Sequence, residues 1–482
     1  MNPLEQEQLR STRRSFLGRA SAHLGSVALA SLMDPTLLAS PTGHAAPTRA
    51  RGVVDPLHFA PKAKRVIFLC MAGGPSQFET FDNKPTLAKL DGKPFPESFT
   101  KGQPIAQLQG QELKCLGALT KFRKYGRSGQ EVSAFLPHIA GMADDICIIR
   151  SMQTDQINHD PAHTVMNTGT SISGRPSMGS WVTYGLGSES ENLPGFVVLT
   201  SAGGRNPQPI SSRQWSSGLL PSRYQGVEFR SNGDPVHYVR SPKGVTPSAQ
   251  RRLVDTINGL NRIRNETVDN PEIETRISQY ELAFRMQTSV PELMDLSDES
   301  PQTLAHYGTE GADGSYAANC LLARRLAERG VRFIHLYHRG WDHHGDLVPY
   351  MNTCCGLTDR PTAALLTDLK QRGMLDETLV IWGGEFGRTP MFQGKGKKPG
   401  RDHHIRAFSM WMAGGGVKAG ITHGATDELG YNAVKDIVHV NDLHATMLHL
   451  LGINHLKLTV RYQGRDFRLT DIAGEVVKPI LA

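Results

Sequence analysis

The stretch Arg65-Val66-Ile67-Phe68-Leu69-Cys70-Met71 is apolar after its first residue and stops at Ala72-Gly73-Gly74-Pro75. An alternating pattern would mark a strand with one wet face. A continuous apolar run marks a strand covered on both faces, as in the parallel sheets of α/β proteins. The pattern recurs at 145–150, 196–200, 331–336 and 379–382, and again at 408–413, which runs into Gly414-Gly415-Gly416. Helix-spaced segments such as 316–329 and 362–372 fall between these runs. Strands alternating with helices predict an α/β fold, with a largely parallel central sheet sandwiched by helices. Segment 201–310 breaks the rhythm with loops rich in Gly, Ser, Pro and Arg, then two long polar helical stretches at about 247–266 and 271–295. It is predicted to be a cap insertion over the carboxyl rim of the sheet. No internal repeat is visible.

The first residues predict export. Thr12-Arg13-Arg14-Ser15-Phe16-Leu17 is a twin-arginine sequence, followed by a mild apolar run at 20–32 and small residues up to Ala45-Ala46. Residues 1–46 therefore read as a twin-arginine signal, 47–63 as a linker and 64–482 as the folded domain. The expected location is the periplasm or cell envelope. That route carries folded proteins, which hints at a bound metal. The apolar run is too short to span a membrane, and no later segment is long enough. The net charge of +7 is scattered, without a Lys/Arg run or interleaved aromatics. This predicts mild attraction to anions and no nucleic-acid partner. The six cysteines form no Cys-x-x-Cys pair and no disulfide framework.

Ligands of open α/β sheets bind beyond the carboxyl ends of the strands. The loops expected there read GGPSQFETFD, SMQTDQINHDPAH, HRGWDHHGD and GGEFGRTP, with GRDHH just ahead of the 408–413 run. Histidines and carboxylates thus gather at one rim. Such donors suit Zn, Mn or Fe. Asp342 and His344, two apart in a glycine-flanked loop, can converge on one ion. Asp402 and His403 can supply its other side, and Glu385 is a further ligand candidate. The plainer alternatives are a surface loop around Trp341, an Arg401–Asp402 surface pair, and Glu385 as an acid in a tight turn. In NHDPAH, Pro161 suits the first turn of a helix and Asp160 its N-cap. A helix starting there places His163 in its first turn and His159 just outside its positive end, which attracts anions. The bland alternative is a capped helix with two incidental histidines.

Several motifs occur in order: GGPSQFETFDNKP, GRPSMGSWVTYGLG, NLPGFVVL, WDHHGD, GGEFGRTP, GRDHH, AGGGVKAG and DLHATMLHLLGI. Over about 60–482 they resemble the secreted bacterial domain-of-unknown-function family placed near the sulfatases. That family is similar in turn to the alkaline phosphatase–sulfatase superfamily. The resemblance implies an alkaline-phosphatase-like core, a divalent metal (Zn, Mn, Ca or Fe), and hydrolysis of a sulfate or phosphate ester, with a sulfated polysaccharide as one substrate class. Sulfatases carry Cys/Ser-x-Pro-x-Arg at a helix start, then a short apolar stretch and Thr-Gly. Here His159-Asp160-Pro161-Ala162-His163 and Thr168-Gly169 take those places. The resemblance thus implies catalytic roles for His159, as nucleophile or metal ligand, and for His163 at the anion-holding position. Arg175 or Arg388 is expected as an additional anion donor. Glu385-Phe386-Gly387 stands where the superfamily has Asp-His-Gly, and Gly73-Gly74 where it has metal-binding Asp. Without a cysteine at position 159 there is no maturation to formylglycine, and Phe386 cannot bind a metal. The competing expectation is a non-catalytic, sulfatase-derived binding or envelope-assembly protein, since fold alone does not settle function.

Overall fold

The computed structural model describes residues 51–236, 239–241 and 243–482. The predicted export signal and the start of the linker lie outside the described residues. One central sheet contains β1 (Arg65–Ala72), β2 (Ile146–Gln153), β3 (Phe196–Ser201), β4 (Val227–Phe229), β5 (Phe333–Arg339), β6 (Thr378–Gly383), β7 (Phe408–Ala413), β8 (Ile421–His423) and β9 (Val438–His439). Their spatial order is β8-β2-β7-β6-β1-β5-β3-β4, with β9 also paired to β2. β7 runs antiparallel to both its neighbours, and the other strand pairs are parallel. The fold is therefore α/β with a largely parallel sheet.

The continuous apolar runs follow from burial on two sides. All eight residues of β1 are buried. Successive side chains point to opposite faces. Ile67, Leu69 and Met71 join the core under helices α5 (Tyr316–Glu328) and α6 (Leu347–Gln371). Val66, Phe68 and Cys70 join the core under α1 (His159–Thr168), α2 (Met178–Leu186) and α7 (Val440–Leu450). Among the described residues no helix is long and apolar enough to cross a membrane.

The segment 201–310 divides. β4 extends the sheet edge beside β3. Helices α3 (Pro247–Val268) and α4 (Pro271–Met294) start at Thr246 and Asn270, whose side chains accept from Ala249 N and Glu272 N. Val290 and Leu293 of α4 enter the core beside α5. The loop leading into these elements reaches the carboxyl rim, where Gln208 and Arg213 touch Asp342 and Asp160.

α1 begins two residues earlier than its sequence suggests. Asn158, extended at φ −104° and ψ 145°, is the N-cap, and His159 is the first helical residue. Asp160 is inside the first turn, where its charge still faces the positive helix end, and it pairs with Arg213. The reversed direction of β7 matters more. It puts the residues before β7, not those after it, at the rim where the parallel strands end.

Candidate metal centre

Four loops meet at this rim. β2 leads into α1, which opens on His159. The loop after β5 carries Asp342 and His344. β6 is followed by Glu385, and His403–His404 pairs antiparallel with Gly387–Arg388 just ahead of β7. One donor atom each from His159, Asp342, His344 and His403 lies within 4.8 Å of the other three. Asp342 Oδ1 is 2.8 Å from His344 Nε2 and 3.2 Å from Nε2 of both His159 and His403. His344 Nε2 and His403 Nε2 are 3.0 Å apart. Donors bound at about 2.0–2.1 Å to one tetrahedral ion lie about 3.3 Å from each other. The separations of 2.8–3.2 Å come close to that value, so the four groups could hold one ion.

The orientation of the rings is equally specific. His159 Nδ1 is 2.6 Å from Glu385 Oε1, His344 Nδ1 is 2.6 Å from Gln393 Oε1, and His403 Nδ1 is 2.8 Å from Ile157 O. Each partner is an acceptor, so in a neutral imidazole the hydrogen sits on Nδ1 and the Nε2 lone pair is free to meet a cation. Three lone pairs and one carboxylate oxygen then aim at one point. His159 Nε2 is buried and makes no well-aligned hydrogen bond. This is the environment in which a histidine ligates a metal, with its other nitrogen held from behind.

The electrostatics pull the ligand candidates in different directions. With no cation bound, burial alone would raise the Asp342 carboxyl, but the three histidines packed on Oδ1 and the Arg388 guanidinium hold it far below the usual carboxylate range. Burial would lower His159, yet Asp342 and Glu385 drive its imidazole up to about 9. His403 is pushed down to about 4, chiefly by burial, with Arg388, His159 and His344 adding to the fall against Asp342. His159 and His344 keep 16 % and 23 % of their side chains exposed, so the cluster opens to solvent between them.

The other sequence candidates take different places. Glu385 is fully buried behind His159 and accepts from Gly73 N at 3.0 and 3.1 Å. Burial opposes its charge, but His163 and His159 bring it down to about 2. Gly73 and Gly74 permit this approach. A Cβ on Gly73 would lie 2.5 Å from Asp342 N, and one on Gly74 2.7 Å from the Phe386 ring. Phe386 is buried against the rings of His159 and His403. His163 is completely buried, 3.4 Å from Glu385 Oε1, with neither ring nitrogen in a hydrogen bond. Burial lowers its affinity for a proton. The Asp402 carboxylate accepts from Leu108 N and His403 N, both at 2.8 Å, and is not among the four converging groups.

Arg388, expected as an anion donor, is buried and committed. It donates to Asp342 Oδ1 at 2.7 Å and to the carbonyls of Gly73, Gly74, Trp341 and Arg401. Arg175 stacks on Phe467, 3.9 Å from the ring centroid, in a pocket shared with Thr168 at the far end of α1. Arg401 is not a surface residue but is buried on Glu79. Gln208, which donates to Asp342 Oδ2 at 2.8 Å, and Gln393 carried no signal in the sequence. Gln208 lies in an irregular stretch and Gln393 opens a short strand at 393–395, and neither has a chemistry-bearing neighbour at a fixed spacing.

Solved structures with similar outlines include Ps i-CgsB in complex with k-i-k-neocarrahexaose, at 12 % identity over 81 % of this chain and 72 % of that one, with a TM-score of 0.35. The lipoteichoic acid synthase LtaP from Listeria monocytogenes is 10 % identical over 89 % of this chain and 79 % of its own, with a TM-score of 0.33. A protein in the alkaline phosphatase superfamily from Vibrio parahaemolyticus is 10 % identical over 86 % and 71 %, also with a TM-score of 0.33. At such scores the likeness says nothing of the chemistry. No curated protein matches the chain significantly. The family described as "Protein of unknown function (DUF1501)" matches residues 63–481, and the chain belongs to that family.

Proposed function

We propose that this protein is a metal-dependent hydrolase of sulfate or phosphate esters, exported by the twin-arginine route to the periplasm or cell envelope. The observation that carries the reading is the set of three Nδ1 hydrogen bonds that turn the Nε2 atoms of His159, His344 and His403 toward Asp342 Oδ1. Three imidazoles and one carboxylate suit Zn, Fe or Mn. They suit Ca poorly, because Ca takes oxygen donors. Bound there, such an ion supplies Lewis-acid polarisation of an ester oxygen.

The chain's own residues would do the rest. Glu385, Gln393 and the Ile157 carbonyl fix the imidazoles. Phe386 walls the inner side of the cluster against water. The first turn of α1 points its positive end at the rim and favours an anionic group there. The reading makes His159 a ligand and assigns attack to water. His163, wholly buried, acts from beneath through Glu385 and not as a nucleophile. A sulfated polysaccharide is the substrate class that fits an exported protein of this kind.

A second reading rests on one observation. His159, Asp342, His344 and His403 would give an ion four protein donors, the number usual for structural rather than catalytic zinc. That favours a binding or envelope-assembly protein. The test is elemental analysis of the purified protein, together with hydrolysis of 4-nitrophenyl phosphate and 4-nitrophenyl sulfate before and after chelation. Metal with chelator-sensitive turnover supports the hydrolase. Metal without turnover supports a binding protein built around the ion, and absence of metal sinks the hydrolase and leaves a binding protein that holds no ion.

A further inference from the structure

Asp342 uses its two oxygens unequally. Oδ1 faces the three Nε2 atoms and Arg388, whereas Oδ2 receives Gln208 Nε2 at 2.8 Å. Gln208 comes from the half-exposed loop between β3 and the turn at Ser212–Trp215. Aspartate can bind a metal through one oxygen or two, and a tilt of the carboxylate about the bound oxygen interconverts the modes. We infer that Gln208 is a positioning residue that restrains Asp342 to a single oxygen and so keeps one position of the centre available to an anion at the solvent side, between His159 and His344. The inference rests on the metal reading above and deepens it.

The geometry supports each step. Oδ1 is pinned from behind by Arg388, which is itself locked by four backbone carbonyls. The carboxylate therefore keeps Oδ1 in place, and its remaining freedom is the swing of Oδ2. Among the described residues Gln208 is the hydrogen-bond partner of that atom. Asparagine at this position is shorter by one carbon–carbon bond and cannot span the same gap from an unmoved loop.

Cobalt(II) provides a readout independent of turnover, because its visible absorption changes with coordination number and with an added ligand. The full chain would be loaded with cobalt(II) and titrated with inorganic phosphate, as wild type, Gln208→Ala and Gln208→Asn. The expected result is a phosphate-dependent spectral change in the wild type. In both variants it should weaken at least tenfold, and the phosphate-free spectrum should shift toward higher coordination. If Gln208→Ala fails to fold, Gln208→Asn gives the same readout. Equal phosphate response in wild type and variants overturns the role of Gln208 while leaving the metal centre standing. A wild type that binds cobalt(II) but never responds to phosphate overturns it too and marks a closed site. A wild type that binds no cobalt(II) overturns this inference together with the metal reading.

Discussion

Glu79 and Asp342 are both buried carboxylates at the same rim, each against a buried arginine, yet they have opposite surroundings. Glu79 receives Arg401 Nε at 2.9 Å and Nη2 at 2.8 Å, with Leu119 N and Ser76 Oγ completing its shell. Arg401 spends its remaining donors on the carbonyls of Leu116, Thr389 and Gly117. Donors and acceptors match, as they must when charge is buried for structural reasons. Around Asp342 they do not match. Three imidazole nitrogens crowd one oxygen, and two of them stand 3.0 Å apart with their hydrogens on the far side of the rings. Crowded lone pairs are costly without a cation among them. Burial of charge alone does not mark a site, whereas a surplus of aimed acceptors does.

The largest effects should come from the saturated region. Arg401→Ala leaves Glu79 charged, buried and unpaired, and should cost about 3–5 kcal/mol in chemical unfolding. Trp341→Ala, which empties a fully buried ring beside the site, should cost a similar ~3–5 kcal/mol. Metal content per folded molecule should stay within twofold of wild type for Arg401→Ala. A loss of metal with preserved stability would invert the contrast between the two regions.

Asp342→Ala should do the reverse. Arg388 keeps its carbonyl partners and the domain should fold, but metal per chain should fall below a tenth of the wild-type value. Glu385→Gln is subtler, because the amide can still face His159. Loss of the carboxylate behind a ligating imidazole should weaken metal affinity about 10–100-fold, measured by competition with a chromophoric chelator. Full affinity in this variant would show that Glu385 serves the glycine loop alone.

A pH slope should come from scaffold histidines away from the cluster. His338 and His444 are pushed down to about 4 by burial. The unfolded chain takes up their protons near pH 6.5 and the folded chain does not. Their contribution is therefore complete above pH 6.5 and is lost as pH falls toward 4, with a limiting slope of about 1.4 kcal/mol per pH unit for each. Urea unfolding of the metal-free protein between pH 7 and 5 should show stability declining with acid. A flat profile would contradict it.

Much of the fold was legible because burial on two faces writes itself as unbroken apolar runs. The direction of β7 was not, since an antiparallel strand covered on both sides leaves the same run. At the site, Asp342 and Asp402 look alike in sequence, each beside histidines in a rim loop. Only the fold reveals that Asp402 turns back to Leu108 N and His403 N. Gln208 and Gln393 were invisible because amide side chains acquire a role only from what faces them.

The most direct measurement is X-ray absorption on the purified protein loaded with one equivalent of zinc. The account predicts one tightly held ion with nitrogen and oxygen neighbours at about 2.0–2.1 Å, multiple-scattering features of three imidazoles, and loss of one imidazole in each of His159→Ala, His344→Ala and His403→Ala. An ion that the three substitutions leave unchanged, or a folded protein that retains no ion, would contradict it.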